Sequence, residues 1–267
     1  MYAFAYHRPS TVRQAQSALH KHADSKLLAG GQTLLPTMKQ RLAAPAALID
    51  LGHVAGLTGI EKKGRNIVIG AMTRHADVAA SDIVQTHLPA LADLAGAIGD
   101  PAVRHRGTIG GSLANNDPSA DYPAAALALG ATIVTNKRKI AADDFFQGLF
   151  TTALEEGEII TKVSFPMPSK AAYVKFPNPA SRYAMVGVFV AKKGAEVRVA
   201  VTGASNDGVF RASSLEGALT AKFNAKSLDN VAVDHSGFIS DLHGSADYRG
   251  NLVSVMAKRA VLKAQGK

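Results

Sequence analysis

The sequence contains no cysteine and no tryptophan among its 267 residues. Without thiolates the chain cannot ligate an iron–sulfur cluster, use a thiol nucleophile or form a cysteine-based zinc site. No apolar run approaches the roughly 18 residues that a membrane-spanning helix requires. The first residues, MYAFAYHRPSTVRQ, also lack the apolar core of a secretory signal. These absences predict a soluble, cytoplasmic protein with no membrane span and no iron–sulfur cluster of its own.

Acidic residues are fewer than basic ones, with 21 Asp and Glu against 30 Lys and Arg, which gives a formal charge of +9. The densest basic runs are 104–106 and 137–139, and neither is interleaved with the aromatic side chains that stack on bases. We therefore expect no nucleic-acid binding. A basic surface equally suits an acidic partner subunit or an anionic cofactor.

The standard catalytic signatures are absent as well. No two glycines stand two residues apart, so the core of a Rossmann fingerprint is missing, and no P-loop, H-E-x-x-H or G-x-S-x-G occurs. The adjacent acids Asp143-Asp144 and Glu155-Glu156 lie near predicted turns and favour solvated surface. The sequence therefore predicts no catalytic side chain and no metal site in this chain.

Helices and strands are both predicted from hydrophobic periodicity and from capping and turn residues. The predicted helices are Ser10–His22, a helix capped by Thr73 and ending at Ala80, Ile83–Ile98, Tyr122–Leu129 and Asp247–Ala264. The predicted strands are Lys26–Ala29, Ala47–Leu51, Gly59–Glu61, Asn66–Ile69, Ala131–Thr135, Ile159–Phe165, Ala184–Lys192 and Ala195–Gly203. Two prolines within 165–170 interrupt both periodicities and predict a domain boundary there.

Two double-glycine loops are the strongest local signal for a ligand site. They consist of Ala29, Gly30, Gly31, Gln32 and Thr33, and of Thr108, Ile109, Gly110, Gly111 and Ser112. Glycine lets the backbone approach a ligand closely, and successive N–H groups can then surround an anion. Ordinary tight turns explain the same residues equally well. The loops therefore indicate a candidate dinucleotide or diphosphate site.

At these loops the sequence resembles the flavin-binding medium subunit of molybdenum hydroxylases, the family that includes carbon monoxide dehydrogenase medium chains and xanthine dehydrogenase flavin subunits. The resemblance covers nearly the whole chain. Its most specific stretches are LLAGGQTLLPTMKQRL (27–42), VRHRGTIGGSLANNDPSADYPAAALALGA (103–131) and SRYAMVGVFVA (181–191). The sequence departs from the family pattern at His105, where asparagine is usual, and at Asn115-Asn116.

The resemblance implies an α+β fold in two parts. Residues 1–170 would form a bipartite FAD-binding domain of the vanillyl-alcohol-oxidase (PCMH) type, with subdomains at about 1–56 and 57–170. Residues 171–267 would form the small α+β C-terminal domain of carbon monoxide dehydrogenase flavoproteins, with an antiparallel sheet and helices.

The resemblance also implies roles for individual residues. Both double-glycine loops would hold the FAD pyrophosphate through backbone N–H groups. Asp121 would accept hydrogen bonds from the adenosine ribose, although an N-cap of the helix at Tyr122 is an alternative role. Ile160 would lie against the flavin or adenine, and Lys175 near the isoalloxazine ring, with Tyr183 a weaker candidate for ring contact.

The activity implied by the resemblance is electron transfer through FAD. The molybdenum cofactor and two [2Fe–2S] clusters would belong to a large and a small partner subunit, in a heterotrimer or a dimer of heterotrimers. Electrons would leave this chain for an external acceptor such as a quinone or NAD. Two alternatives stay open: a self-contained FAD oxidoreductase of the same superfamily, and a basic, non-catalytic binding module.

Overall fold

The computed structural model describes all residues, 1–267. Eleven α-helices and fourteen strands alternate along the chain. The helices are α1 (Val12–Lys21), α2 (Leu34–Lys39), α3 (His75–Ala80), α4 (Asp82–His87), α5 (Pro89–Gly96), α6 (Pro101–Arg106), α7 (Ile109–Asn115), α8 (Tyr122–Leu129), α9 (Ala142–Phe145), α10 (Ser213–Ala221) and α11 (Ala246–Ala264). The strands are β1 (Ala5–His7), β2 (Ser25–Leu28), β3 (Ala47–Asp50), β4 (Ile60–Lys63), β5 (Asn66–Gly70), β6 (Thr132–Thr135), β7 (Lys139–Ala141), β8 (Phe146–Gly148), β9 (Thr151–Thr152), β10 (Ile160–Pro166), β11 (Lys170–Pro177), β12 (Ala184–Lys193), β13 (Glu196–Ser205) and β14 (Gly208–Arg211).

Three main sheets follow one another in sequence. The first is a parallel sheet in the order β1-β3-β2, with α1 packed on it. The second is an antiparallel sheet in the order β4-β5-β10-β6-β7, and the third is antiparallel in the order β11-β12-β13-β14. The mixed α+β architecture with antiparallel sheets confirms the predicted fold class.

The third sheet is buried on both faces because it serves two hydrophobic cores. Val186, Val188 and Val190 point from β12 into a core shared with α10 and α11. The alternate residues Phe189 and Ala191 join the core of the second sheet, which also contains α5 and α8. Both central strands are therefore buried at eight of their ten residues, as expected for strands covered on two sides.

The predicted helix over 83–98 is wrong as a single element. The structure ends α4 at His87 and begins α5 at Pro89, with Leu88 between them at φ −150° and ψ 56°. Proline has no N–H to donate and disfavours helical backbone at the preceding residue, so the helix breaks there. By contrast, the predicted helix Tyr122–Leu129 is confirmed with the same bounds.

The predicted cap at Thr73 is also wrong. Arg74 occupies the N-cap position of α3, and the Thr73 side chain instead hydrogen-bonds to the backbone of Gly59. The loop predicted at 108–112 is the N-cap and first turn of the short helix α7, with the Thr108 side chain accepting a hydrogen bond from the N–H of Gly111. No helix of the structure is long and apolar enough to cross a membrane.

Candidate functional site

The two double-glycine segments, 79 positions apart in sequence, lie side by side in the fold. A Cβ atom on Gly30 would lie 2.2 Å from the carbonyl oxygen of Arg106, and one on Gly111 would lie 3.2 Å from the Cβ of Ala29. Gly31 has φ +74°, which other residues rarely adopt. Glycine is therefore needed here both for close approach and for backbone conformation.

The first segment offers a row of backbone donors without acceptors. The N–H groups of Gly30, Gly31, Gln32 and Thr33 donate no hydrogen bond within the chain. Gly30 and Gly31 are half-buried, whereas Gln32 and Thr33 are exposed. Backbone N–H groups away from bulk solvent are nearly always paired, with water or a ligand when not with the protein. The segment is therefore suited to an anion or another acceptor group.

The second segment uses most of its donors internally. The N–H groups of Ile109 and Gly110 donate to the carbonyl oxygens of Thr73 and Ala71, at 3.1 and 2.8 Å. Those of Gly111 and Ser112 donate to the side chain and carbonyl oxygen of Thr108. Only the N–H of Thr108 itself lacks an acceptor within the chain. Free backbone N–H groups for a ligand are thus available mainly from the first segment, while the second segment packs closely against it.

Between the two segments is a cleft of about 330 Å³, here called the glycine cleft. Its lining residues come from both predicted subdomains, 1–56 and 57–170. They are Ala29, Gly30, Asp50, Gly52, His53, Thr58, Met72, Arg74, Arg106 and Thr108. The carboxylate of Asp50 accepts hydrogen bonds from the Tyr6 hydroxyl and from the Gly52 N–H.

Arg74 and Arg106 make the cleft electropositive. Neither guanidinium has a carboxylate partner or a side-chain hydrogen bond within the chain. Sequence reasoning did not include either residue in the site. The sequence signal for these two arginines was weak. Arg106 lies two residues before Thr108, where the second segment starts, and Arg74 is next to no recognisable motif.

A second group of predicted residues meets where the third sheet packs on α8. Asp121 is 4% exposed, and its Oδ1 accepts hydrogen bonds from the Tyr173 hydroxyl at 2.5 Å and from Lys175 Nζ at 2.9 Å. Lys175 Nζ also donates to the carbonyl oxygen of Ala97 at 2.7 Å. Asp121 occupies the N-cap position of α8 but makes no side-chain cap bond, since its carboxylate accepts from Tyr173 and Lys175 instead.

Burial governs the protonation of this group. Burial raises the pKa of the Asp121 carboxyl, while the Lys175 ammonium and the Tyr173 hydroxyl act in the opposite direction. Burial and the neighbouring Asp121 carboxylate raise the pKa of Tyr173 well above its usual range. The Tyr173 hydroxyl therefore stays protonated and donates a hydrogen bond to Asp121 throughout the physiological pH range.

The remaining predicted residues lie apart from the glycine cleft. Ile160 is 5% exposed at the start of β10, the strand against which α7 packs. Tyr183 is half exposed, and burial together with the charges of Asp117 and Asp121 raises its pKa. No group of three or more His, Asp or Glu side chains is arranged to hold a metal ion.

Residues 2–168 match the family model described as "FAD binding domain in molybdopterin dehydrogenase". The chain belongs to this family. The matched region contains both glycine segments, Asp121 and Ile160, whereas Tyr173 and Lys175 follow it.

Several relatives match this chain over almost its full length. The nicotine 6-hydroxylase medium subunit of Paenarthrobacter nicotinovorans is 37% identical, covering 98% of this chain and 97% of that protein. The carbon monoxide dehydrogenase medium chain of Hydrogenophaga pseudoflava is 38% identical, covering 97% and 96%. A chain of the reconstituted CO dehydrogenase from Oligotropha carboxidovorans superposes with a TM-score of 0.89 at 34% identity, covering 99% of this chain and 98% of that one.

Proposed function

We propose that this chain is the FAD-carrying electron-transfer subunit of a cytoplasmic molybdenum hydroxylase complex. Its FAD would accept electrons from [2Fe–2S] clusters of a small partner subunit and pass them to an external quinone or NAD. A large partner subunit would hold the molybdenum cofactor and the substrate. The full-length relatives that are medium subunits of such enzymes support this assembly, as a heterotrimer or its dimer.

The observation that carries the proposal is the glycine cleft. Gly30, whose backbone N–H has no acceptor, lines the cleft together with two guanidinium groups without acidic partners, and the next three residues also have free N–H groups. A pyrophosphate presents several acceptor oxygens and negative charge, so it fits both features. We therefore assign the pyrophosphate of FAD to this cleft, between the segments Ala29–Thr33 and Thr108–Ser112, of which Ala29, Gly30 and Thr108 line it.

When bound, FAD supplies one- and two-electron redox chemistry, and the protein supplies position and electrostatics. The first glycine segment would donate to the pyrophosphate and fix its position. Ile160 would cover the cofactor with an apolar side chain. Asp121 and Lys175 form an ion pair at 2.9 Å, so they would meet the same part of FAD and not the adenosine ribose and the isoalloxazine ring separately. In this assignment residues 1–170 form the FAD domain and residues 171–267 a separate C-terminal domain.

No side-chain proton donor or acceptor at fixed geometry is required for this role, because the chain relays electrons and the substrate reacts elsewhere. The glycine cleft contains no paired carboxylates and no nucleophile beside a base. The ion pairs elsewhere, such as Arg211 with Glu216, link secondary-structure elements of the fold.

The direct test is a visible absorption spectrum of the purified full-length chain, with the acid-released cofactor identified by chromatography. We expect FAD near one per chain. A colourless chain that takes up no added FAD would contradict the proposal and leave the binding-module alternative. Affinity capture of the tagged chain from its own cells should recover a molybdenum subunit and an iron–sulfur subunit. An FAD-bound chain that oxidises a substrate without them would favour the self-contained oxidoreductase.

A further inference from the structure

The segment Pro118–Asp121 follows helix α7, whose N-cap residue Thr108 lines the glycine cleft, and is bound by residues of the third sheet. The N–H of Gly203 donates to the carbonyl oxygen of Pro118 at 2.7 Å. The Thr202 hydroxyl lies 2.9 Å from the Pro118 oxygen and 2.7 Å from the Ala120 oxygen. A polar segment between two helices is thus fixed by a strand more than 80 positions later in the sequence.

Tyr173 adds a hydrogen bond from the third sheet to the side chain of Asp121. Its hydroxyl reaches from β11 to Asp121, and its ring stacks on Phe189 with the centroids 6.1 Å apart. Lys175, two residues along the same strand, reaches the same carboxylate oxygen. Since alternate residues of a strand point to one face, β11 presents a hydroxyl and an ammonium side by side to a single buried acid.

Gly187 makes room for this arrangement. It lies opposite Lys175 on β11 and opposite Thr202 on β13. A Cβ atom there would lie 2.2 Å from the Tyr173 hydroxyl oxygen and 2.9 Å from a methyl carbon of Thr202. Its backbone does not have a positive φ, so the requirement for glycine is one of space and not of conformation. The missing side chain at Gly187 therefore leaves space beside β12 for the Tyr173 hydroxyl.

We propose that Tyr173 and Gly187 are positioning residues of the FAD site, which act by fixing Asp121 and the segment before it from the C-terminal sheet. The inference rests on the proposed function, in which Asp121 binds FAD. It adds that the cofactor is retained by both parts of the chain, because residues 171–267 orient an acid that belongs to the part before residue 170. Neither positioning residue needs to touch the cofactor.

The test compares FAD affinity in the full-length chain and two variants, Tyr173→Phe and Gly187→Ala. The first removes the hydroxyl alone, and the second displaces it. We expect each to raise the dissociation constant for FAD about tenfold, a factor that corresponds to about 1.4 kcal/mol. Fluorescence titration of cofactor-free chain measures the constant, and stopped-flow release measures the dissociation rate, which should rise by a similar factor.

Two matched controls lie in the same part of the chain. Tyr248→Phe alters an exposed tyrosine whose hydroxyl makes no hydrogen bond within the chain, and Gly217→Ala adds a Cβ to an exposed helical glycine with no atom within 4 Å. Both should bind FAD as the wild-type chain does. Thermal unfolding without FAD separates positioning from stability, since positioning requires a weaker FAD complex beyond any change in the cofactor-free melting temperature.

The outcomes distinguish this inference from the proposed function. A wild-type chain that binds FAD, with Tyr173→Phe binding it equally well, overturns the inference alone. Lower thermal stability with an unchanged dissociation constant also overturns it, because the tyrosine would then be purely structural. A wild-type chain that binds no FAD overturns the proposed function and the inference together. If Gly187→Ala fails to fold, Tyr173→Phe decides the question.

Discussion

Arg74 and Arg106 face the glycine cleft without acidic partners, whereas Arg138, Arg211 and Arg249 are each paired with a carboxylate. A paired arginine mainly supports the fold around it. An unpaired arginine beside free backbone N–H groups leaves positive potential for a ligand to neutralise. At the scale of single residues, the charge of the candidate site therefore depends on these two side chains.

Replacing both with glutamine should weaken FAD binding about tenfold at low ionic strength and reduce its salt dependence, because screening acts on the attraction that the variant lacks. Titration of cofactor-free chain with FAD at several sodium chloride concentrations measures both effects. Arg259→Gln, at an exposed position on α11, is the control and should match the wild type. Equal affinity and an equal salt slope in the double variant would remove the two arginines from the site.

Among the elements, the short helix α7 joins the glycine cleft to the β8–β9 hairpin. It ends at Asn116, which is 1% exposed and has the left-handed backbone φ 44°, ψ 48°. The Asn116 side chain donates to the carbonyl oxygens of Gly148 and Thr151, each at 2.8 Å. One residue thus ends the helix and holds both sides of the hairpin turn.

Asn116→Ala should lower the free energy of unfolding by about 2–4 kcal/mol, because it removes two buried hydrogen bonds and places a Cβ in a left-handed conformation. Asn116→Gly removes the same bonds but adopts that conformation freely, so it should be more stable than the alanine variant by about 1 kcal/mol. Urea unfolding of the three proteins measures the differences. An alanine variant as stable as the glycine variant would show that the backbone conformation costs nothing here.

For the whole molecule, stability should depend on pH through His75. This side chain is 5% exposed, and burial, together with the charge of Arg104, lowers its pKa to about 4. In the unfolded chain His75 takes up a proton below about pH 6.5. Its contribution is therefore fully present above pH 6.5 and is lost as pH falls toward 4, by up to about 3 kcal/mol.

His75→Gln should flatten the fall in melting temperature between pH 6.5 and 4, whatever its effect at neutral pH. His87→Gln, at an exposed position on α4, should keep the wild-type slope. Thermal unfolding across this pH range, in buffers of equal ionic strength, measures the slope. A His75→Gln profile parallel to the wild type would mean that His75 does not titrate as a neutral buried group.

The sequence by itself determined the elements whose signals are local. The apolar, alanine-rich helix Tyr122–Leu129 needed only neighbouring residues to specify it, and so did the hairpin of β12 and β13, whose turn lies at 194–195, one residue beyond the predicted Lys193-Gly194. The two double-glycine segments were likewise visible because glycine pairs are rare and marked by adjacent hydroxyl residues. The local signal failed at Leu88-Pro89, where an apolar helical pattern continued across a proline.

Only the tertiary structure decided which groups remain free to bind. The N–H groups of Ile109 and Gly110 donate to the carbonyl oxygens of Thr73 and Ala71, and Lys175 forms an ion pair with Asp121. Neither fact follows from local pattern, because hydrogen-bond partners and burial depend on distant segments that pack together. Periodicity fixes a helix within a few residues. A binding site depends on which donors and charges the completed fold leaves without partners.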